Sequence, residues 1–226
     1  MYFDQYYLIL VVPTVILSLW AQVMVKSTFA KYSKIPCSRR ITGVDAAALL
    51  MKVNNITNVK VEAVRGSLTD HYDPSAKKLR LSEPVYGSAS IAAVGVAAHE
   101  AGHAIQHAVH WGPLVMRSTL VPVANIGSSL GPWFAIAGIF LSFPLLINIG
   151  IVLFSGAVLF YVITLPVEFN ASGRAIAVLR SNNVLNEKEL KGVKKVLTAA
   201  ALTYVASALT AIASLLRLVL LSRRRR

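Results

Sequence analysis

The chain has 226 residues, 55% of them hydrophobic, with 23 Lys and Arg against 10 Asp and Glu and a formal net charge of +13. So apolar a composition is unusual for a soluble domain. The basic excess sits in a few segments rather than along a continuous surface, so no nucleic-acid partner is expected. Asp, Glu, Lys and Arg are absent from 6–25, 118–167 and 196–216. A membrane helix needs about 20 apolar residues, so the outer stretches fit one span each and the middle one fits two.

Tyr6 to Met24 reads as a retained N-terminal anchor, with Pro13 inside it and Tyr6, Tyr7 and Trp20 near its ends. No cleavage site of the signal-peptide kind follows. Lys26 to Arg40 is a basic connector suited to water or lipid headgroups. Thr42-Gly-Val-Asp45 offers an N-cap with a carboxylate three residues on, so Ala46 to Val53 reads as a short amphipathic helix ended by Asn54-Asn55. Three strand-like runs follow, Val59–Val64, Ser67–Tyr72 and Lys78–Ser82, with a turn at Asp73-Pro74-Ser75. They predict a small antiparallel sheet. Leu79, Arg80 and Leu81 are expected at its edge, where a strand can pair with an extended substrate backbone.

Small and apolar residues from Ala89 onward predict a helix that carries His99-Glu100-Ala101-Gly102-His103. Residues four apart share a helix face, so both imidazoles can reach one metal ion. Glu100 beside them suits a general base acting on water. Two histidines do not complete a catalytic zinc site, which takes three protein ligands and leaves one position open. The longer H-E-x-x-H-x-x-G-x-x-H pattern fails, because Gln106 and Val109 stand where it needs glycine and histidine. His107 lies roughly 12 Å along the axis from His99, too far to join both other histidines.

Trp111-Gly-Pro113 then turns the chain into a membrane hairpin bent at Ser142-Phe-Pro144, and Gly131-Pro132 is a possible kink in its first helix. Glu168 is the first charge after the hairpin, and Pro166 suits the start of a new helix there. Glu168 is favoured as third ligand. Its rivals are His71 on a strand and Glu187 and Glu189, which lie among lysines and read as solvated helix charges.

Twelve of the Lys and Arg residues lie in 26–117 and six in 174–195. The positive-inside rule places both segments in the cytoplasm and the N-terminus outside. Arg223–Arg226 would then end outside, against that rule, unless the last helix spans only partly. Arg217 near its end can snorkel. The single Cys37 excludes an internal disulfide. The segments are 1–25 (anchor), 26–117 (metal region), 118–167 (hairpin), 168–195 (third-ligand helix and basic segment) and 196–226 (last helix and basic tail).

The anchor, H-E-A-G-H-A-I-Q at 99–106 and L-P-V-E-F-N-A-S-G-R-A at 165–175 together resemble the YugP-like membrane zinc metallopeptidases, also called neutral zinc metallopeptidases. Glu168 to Ser172 is more distantly similar to the E-F/Y-x-A-D motif of the CAAX prenyl proteases and HtpX. The resemblance implies a gluzincin fold: mainly α, about four membrane helices, and a small α+β zinc region. It implies one Zn²⁺ per chain on His99, His103 and Glu168, with a cytoplasm-facing site. Ser172 stands where that motif has aspartate, so Ser172 and Arg174 are the positions to examine for contacts behind the metal or to an oxyanion. The expected function is a membrane-embedded zinc endopeptidase acting on membrane-associated proteins. The alternatives are a non-catalytic zinc-binding scaffold, against which Glu100 argues, and a transporter, against which the charge-free hairpin argues.

Overall fold

The computed structural model describes residues 4–224. Met1–Phe3 and the last two residues of the Arg223–Arg226 run lie outside them. The element order is α1 (Val12–Tyr32, entered through a π-helical turn at Tyr7–Val11), α2 (Gly43–Val53), β1 (Lys60–Val64), β2 (His71–Asp73), β3 (Lys78–Ser82), α3 (Glu83–Tyr86), α4 (Ile91–Ala108), α5 (Gly112–Phe140), α6 (Pro144–Ser181) and α7 (Glu187–Arg224). Among the described residues, four helices are long and apolar enough to cross a membrane: Tyr7–Tyr32, Gly112–Phe140, Pro144–Ser181 and Glu187–Arg223. The fold is mainly helical with a small sheet, as expected. The chain forms two compact units, one of Met1–Gln22, Val115–Pro166 and Leu202–Arg226, the other of Val23–Leu114 and Val167–Ala201.

In the first unit the helices pack through small residues. A Cβ added at Gly127 would meet the Leu153 carbonyl oxygen, and one at Gly150 would meet the Ala135 backbone nitrogen and the Gly131 oxygen. Lipid tails are as apolar as leucine, so helices in a bilayer gain by close backbone approach rather than by hydrophobic burial. The bend at Ser142 is present, with Ser142 in a left-handed conformation at φ 53°. α5 continues through Pro122 and Pro132. Arg217 has partners within this unit. Its Nε and Nη2 donate to Asp4 Oδ2 at 2.9 and 2.6 Å, and its guanidinium lies over the Tyr7 ring. Leu218 packs in one cluster with Ala135 and Phe154. The end of α7 that carries Arg217 therefore lies beside Asp4.

The second unit has a core of α2, α4 and the adjoining parts of α6 and α7, centred on buried Leu50, Val94, Ala97, Leu179 and Val193. Thr42 and Asp45 form the expected capping box, worth about 1 kcal/mol, and the helix ends at Asn54. The sheet is mixed rather than antiparallel. Its order is β1-β3-β2, with β1 parallel and β2 antiparallel to β3. Leu79, Arg80 and Leu81 thus lie on the central strand, not the edge. Both hydrogen-bonding sides of β3 are taken, and Leu79 and Leu81 are fully buried. The expectation failed because alternation reports which face a residue lies on, not how many neighbours its strand has.

Candidate metal centre

α4 begins at Ser90, whose side chain accepts from the Ala93 backbone N–H at 3.2 Å. The helix is then almost wholly Ala, Gly and Val until His99. Such a surface lets neighbours come close. A Cβ on Gly102 would lie 2.5 Å from the Ala171 carbonyl oxygen on α6, and one on Gly95 would lie 3.0 Å from the Val193 side chain on α7. The glycine inside H-E-A-G-H is what lets α6 pass directly over the two histidines.

α6 carries Glu168 into that approach. Pro166 does not start a new helix as expected. It lies inside α6, which runs unbroken from Pro144 to Ser181. Long membrane helices tolerate proline where neighbours re-satisfy the freed backbone groups. Glu168 is 2% exposed. Its Oε2 lies 3.2 Å from His99 Nε2 and 3.6 Å from His103 Nε2. One ligand atom from each of the three residues falls within 4.8 Å of the others. The imidazole centroids are 4.8 Å apart with an interplanar angle of 84°. Glu100, one residue along α4 from His99, is buried.

Each histidine is held from behind. His99 Nδ1 is 3.0 Å from Ser172 Oγ, and His103 Nδ1 is 3.0 Å from Gln106 Oε1. A proton on each Nδ1 leaves each Nε2 lone pair facing Glu168, the tautomer a metal ligand needs. Gln106 is fully buried, and its Nε2 donates to Val167 O at 2.8 Å and Asn170 Oδ1 at 3.0 Å. Arg174 Nε donates to the same Asn170 oxygen at 2.7 Å. Ser172 thus stands against an imidazole, while among the described residues Arg174 is linked to the rings through Asn170 and Gln106. Sequence reasoning missed Gln106 and Asn170. The one signal for Gln106 was a carboxamide three residues after His103, on its own helix face.

The donor set fits zinc: two neutral imidazoles and a carboxylate, with a further carboxylate beside them. Burial disfavours charge on His103, but the hydrogen bond to Glu168 and the Glu100 and Glu168 charges outweigh it and hold its pKa above the ordinary imidazole value. The pocket thus attracts a cation, and a metal there must displace a proton, so affinity should rise with pH through that range.

The rival ligands lie elsewhere. His71 is exposed on β2, with Nδ1 2.8 Å from Thr69 O. Glu187 is paired with Arg180. Glu189 is not solvated as expected. It is buried, and it accepts from the Ser38 backbone N–H and hydroxyl and from the Asn186 N–H. His107 Nδ1 meets the Tyr72 hydroxyl at 2.7 Å.

Residues 7–223 match a family model described as "Putative neutral zinc metallopeptidase". The chain is 49% identical over 215 residues, 95% of its own length and 96% of the relative's, to a Bacillus subtilis (strain 168) protein described as "Putative membrane protease YugP". No solved structure matches.

Proposed function

The chain belongs to the neutral zinc metallopeptidase family, and from that premise we propose that it is a membrane zinc endopeptidase cutting membrane-associated proteins at the cytoplasmic face. The observation that carries this is the meeting of His99, His103 and Glu168 around one point, with a buried Glu100 on the same helix. His99 and His103 would bind one zinc per chain through Nε2, and Glu168 through a carboxylate oxygen. Bound there, zinc supplies Lewis acidity, lowering the pKa of water and polarising a carbonyl. Glu100 takes the proton from the attacking water and delivers it to the leaving amine. Ser172 and Gln106 keep the two imidazoles turned toward Glu168.

The orientation rests on the basic segments 26–117 and 174–195, which favour the cytoplasmic side. The Arg223 end of α7 then lies outside with Asp4, and the Asp4 carboxylate offsets Arg217. Labelling of cysteines placed at Asp73 and Phe143 in intact cells tests this: Phe143 should react and Asp73 should not. The reverse pattern would move the site to the other face.

Activity is tested by comparing membranes that carry the native chain with membranes that carry Glu100→Gln. The variant should keep its zinc and lose about a hundredfold or more of its cleavage rate, as expected for loss of a general base. At least one membrane protein should then accumulate uncut. Identical membrane proteomes, with zinc bound in both, would favour the non-catalytic zinc-binding scaffold.

A further inference from the structure

Beyond His103, α4 runs one more turn, and its end forms a wall of a second feature. A cavity of about 500 Å³ lies between the end of α4, the loop 54–59 and Tyr72 of β2. It begins at Ala104, next to His103, and His107 stands one turn, about 6 Å, further along the axis.

The chemistry of the lining is one-sided. It contains no Asp or Glu. Lys77, His110, Asn55 and Asn58 line it, and none of their side chains has a hydrogen-bond partner among the described residues. Tyr72 is protonated, its phenol pushed above its ordinary pKa chiefly by burial. Its hydroxyl lies 2.7 Å from His107 Nδ1. A cation would find little here. The carbonyls of the last α4 turn are already engaged: Ile105 O by Val109 N, Gln106 O by Trp111 N and His107 O by His110 N, at 3.0 to 3.1 Å.

The backbone adds an independent observation. Asn55, Lys77 and His110 all have positive φ, at 56°, 50° and 47°. Glycine adopts that conformation without the strain a side chain brings, and it is the usual residue just past a helix end, where Asn55 and His110 stand. Three positions on one cavity thus share this conformation, and each carries an exposed, donor-bearing side chain where glycine would serve the backbone alone.

We propose that this cavity is a carboxylate-binding subsite for the peptide substrate. The group bound is either the side chain of an Asp or Glu near the scissile bond or the free C-terminal carboxylate. The inference rests on the peptidase reading above and extends it to substrate class. Lys77 supplies the fixed charge, and His107, His110, Asn55 and Asn58 supply hydrogen bonds to the two oxygens.

The test uses the full-length, zinc-loaded protein in detergent or lipid discs and a fluorogenic peptide series. One arm exchanges Glu for Gln at each position around the cleaved bond. The other exchanges a C-terminal acid for its amide. The acid member of one pair should be preferred about tenfold in kcat/KM, the scale of one or two charge-assisted hydrogen bonds. The arm in which the preference appears identifies the source of the carboxylate. Lys77→Asn, which keeps a residue tolerant of positive φ, should bring that ratio toward one. His110→Gly should do the same with a melting temperature equal to or above the native value. Equal kcat/KM in every pair overturns the proposal. If no peptide is cut, the peptidase reading is what has failed, and labelled versions of the same pairs are measured for binding. Tighter binding of an acid member that Lys77→Asn abolishes upholds the subsite, and equal binding removes it.

Discussion

The α5–α6 hairpin and the α4–α6 crossing both bring helix backbones together through glycine, yet they do so for different reasons. In the hairpin, Gly127 and Gly150 meet backbone atoms and no charged side chain intervenes. In the crossing, Gly102 meets Ala171, and buried polar groups stand on either side of it: Glu100, His103 and Gln106 on α4 and Glu168 on α6. The hairpin's close approach replaces a hydrophobic driving force that lipid does not supply. The crossing's close approach sets the reach between imidazole and carboxylate. The same residue type acts as packing in one place and as a spacing element for chemistry in the other.

The comparison breaks most sharply by adding one methyl group to each region. Gly102→Ala must push α6 away from α4, because the new Cβ meets a backbone oxygen rather than a movable side chain. Glu168 moves with α6. Zinc content should fall to near zero relative to the native chain in protein that is still folded, since a ligand displaced by about an ångström no longer completes the site. Gly150→Ala should instead lower the melting temperature and leave zinc content in the folded fraction unchanged. Metal analysis and circular dichroism on both variants decide this. Full zinc in Gly102→Ala would mean that the contact does not set the position of Glu168.

What could be read beforehand follows the same division. The capping box at Thr42 and Asp45, the bend at Ser142 and the metal pair at His99 and His103 each rest on spacing within one element, and spacing is visible in a sequence. Glu168 was legible by contrast, as the first charge after a long apolar stretch. Long-range placement was not legible. Alternation in 78–82 could not reveal that β1 takes the second side of β3. Glu189 among lysines looked solvated, because its partners at Ser38 are distant in the chain. Pro166 suggested a helix start, because the rule for soluble helices ignores the tolerance of long membrane ones.

A smaller effect separates buried polar groups that hold the site from those that merely fit in it. Gln106→Leu keeps the volume roughly and removes every hydrogen bond the carboxamide makes to His103, Val167 and Asn170. Zinc affinity should weaken about 10- to 100-fold, the usual cost of losing a contact behind a ligating histidine. Stability should drop by about 1–3 kcal/mol, because a buried ring donor loses its partner. Competition with a chromophoric chelator and a denaturant titration measure the two separately. A stability loss with unchanged zinc affinity would class Gln106 with the hairpin glycines, as packing alone.

The smallest expected effect is at Ser172, and it sharpens the comparison between the two imidazoles. His99 is less buried than His103, and its Nδ1 has one hydroxyl behind it, on a residue with no other side-chain hydrogen bond among the described residues. His103 has a carboxamide that is itself tied to α6 at two points. Ser172→Ala should therefore weaken zinc by less than about tenfold, and by less than Gln106→Leu. Ser172→Asp places a carboxylate behind His99, where it would raise the basicity of the ligand and hold the same tautomer. Its zinc affinity should equal or exceed that of the native chain. Chelator competition across pH 6 to 8 distinguishes the three proteins, with the alanine variant losing zinc at the highest pH as protons compete for the imidazoles. If Ser172→Ala loses more zinc than Gln106→Leu, then His99 is the imidazole whose orientation limits binding, and the anchoring of Gln106 to α6 serves the fold rather than the metal.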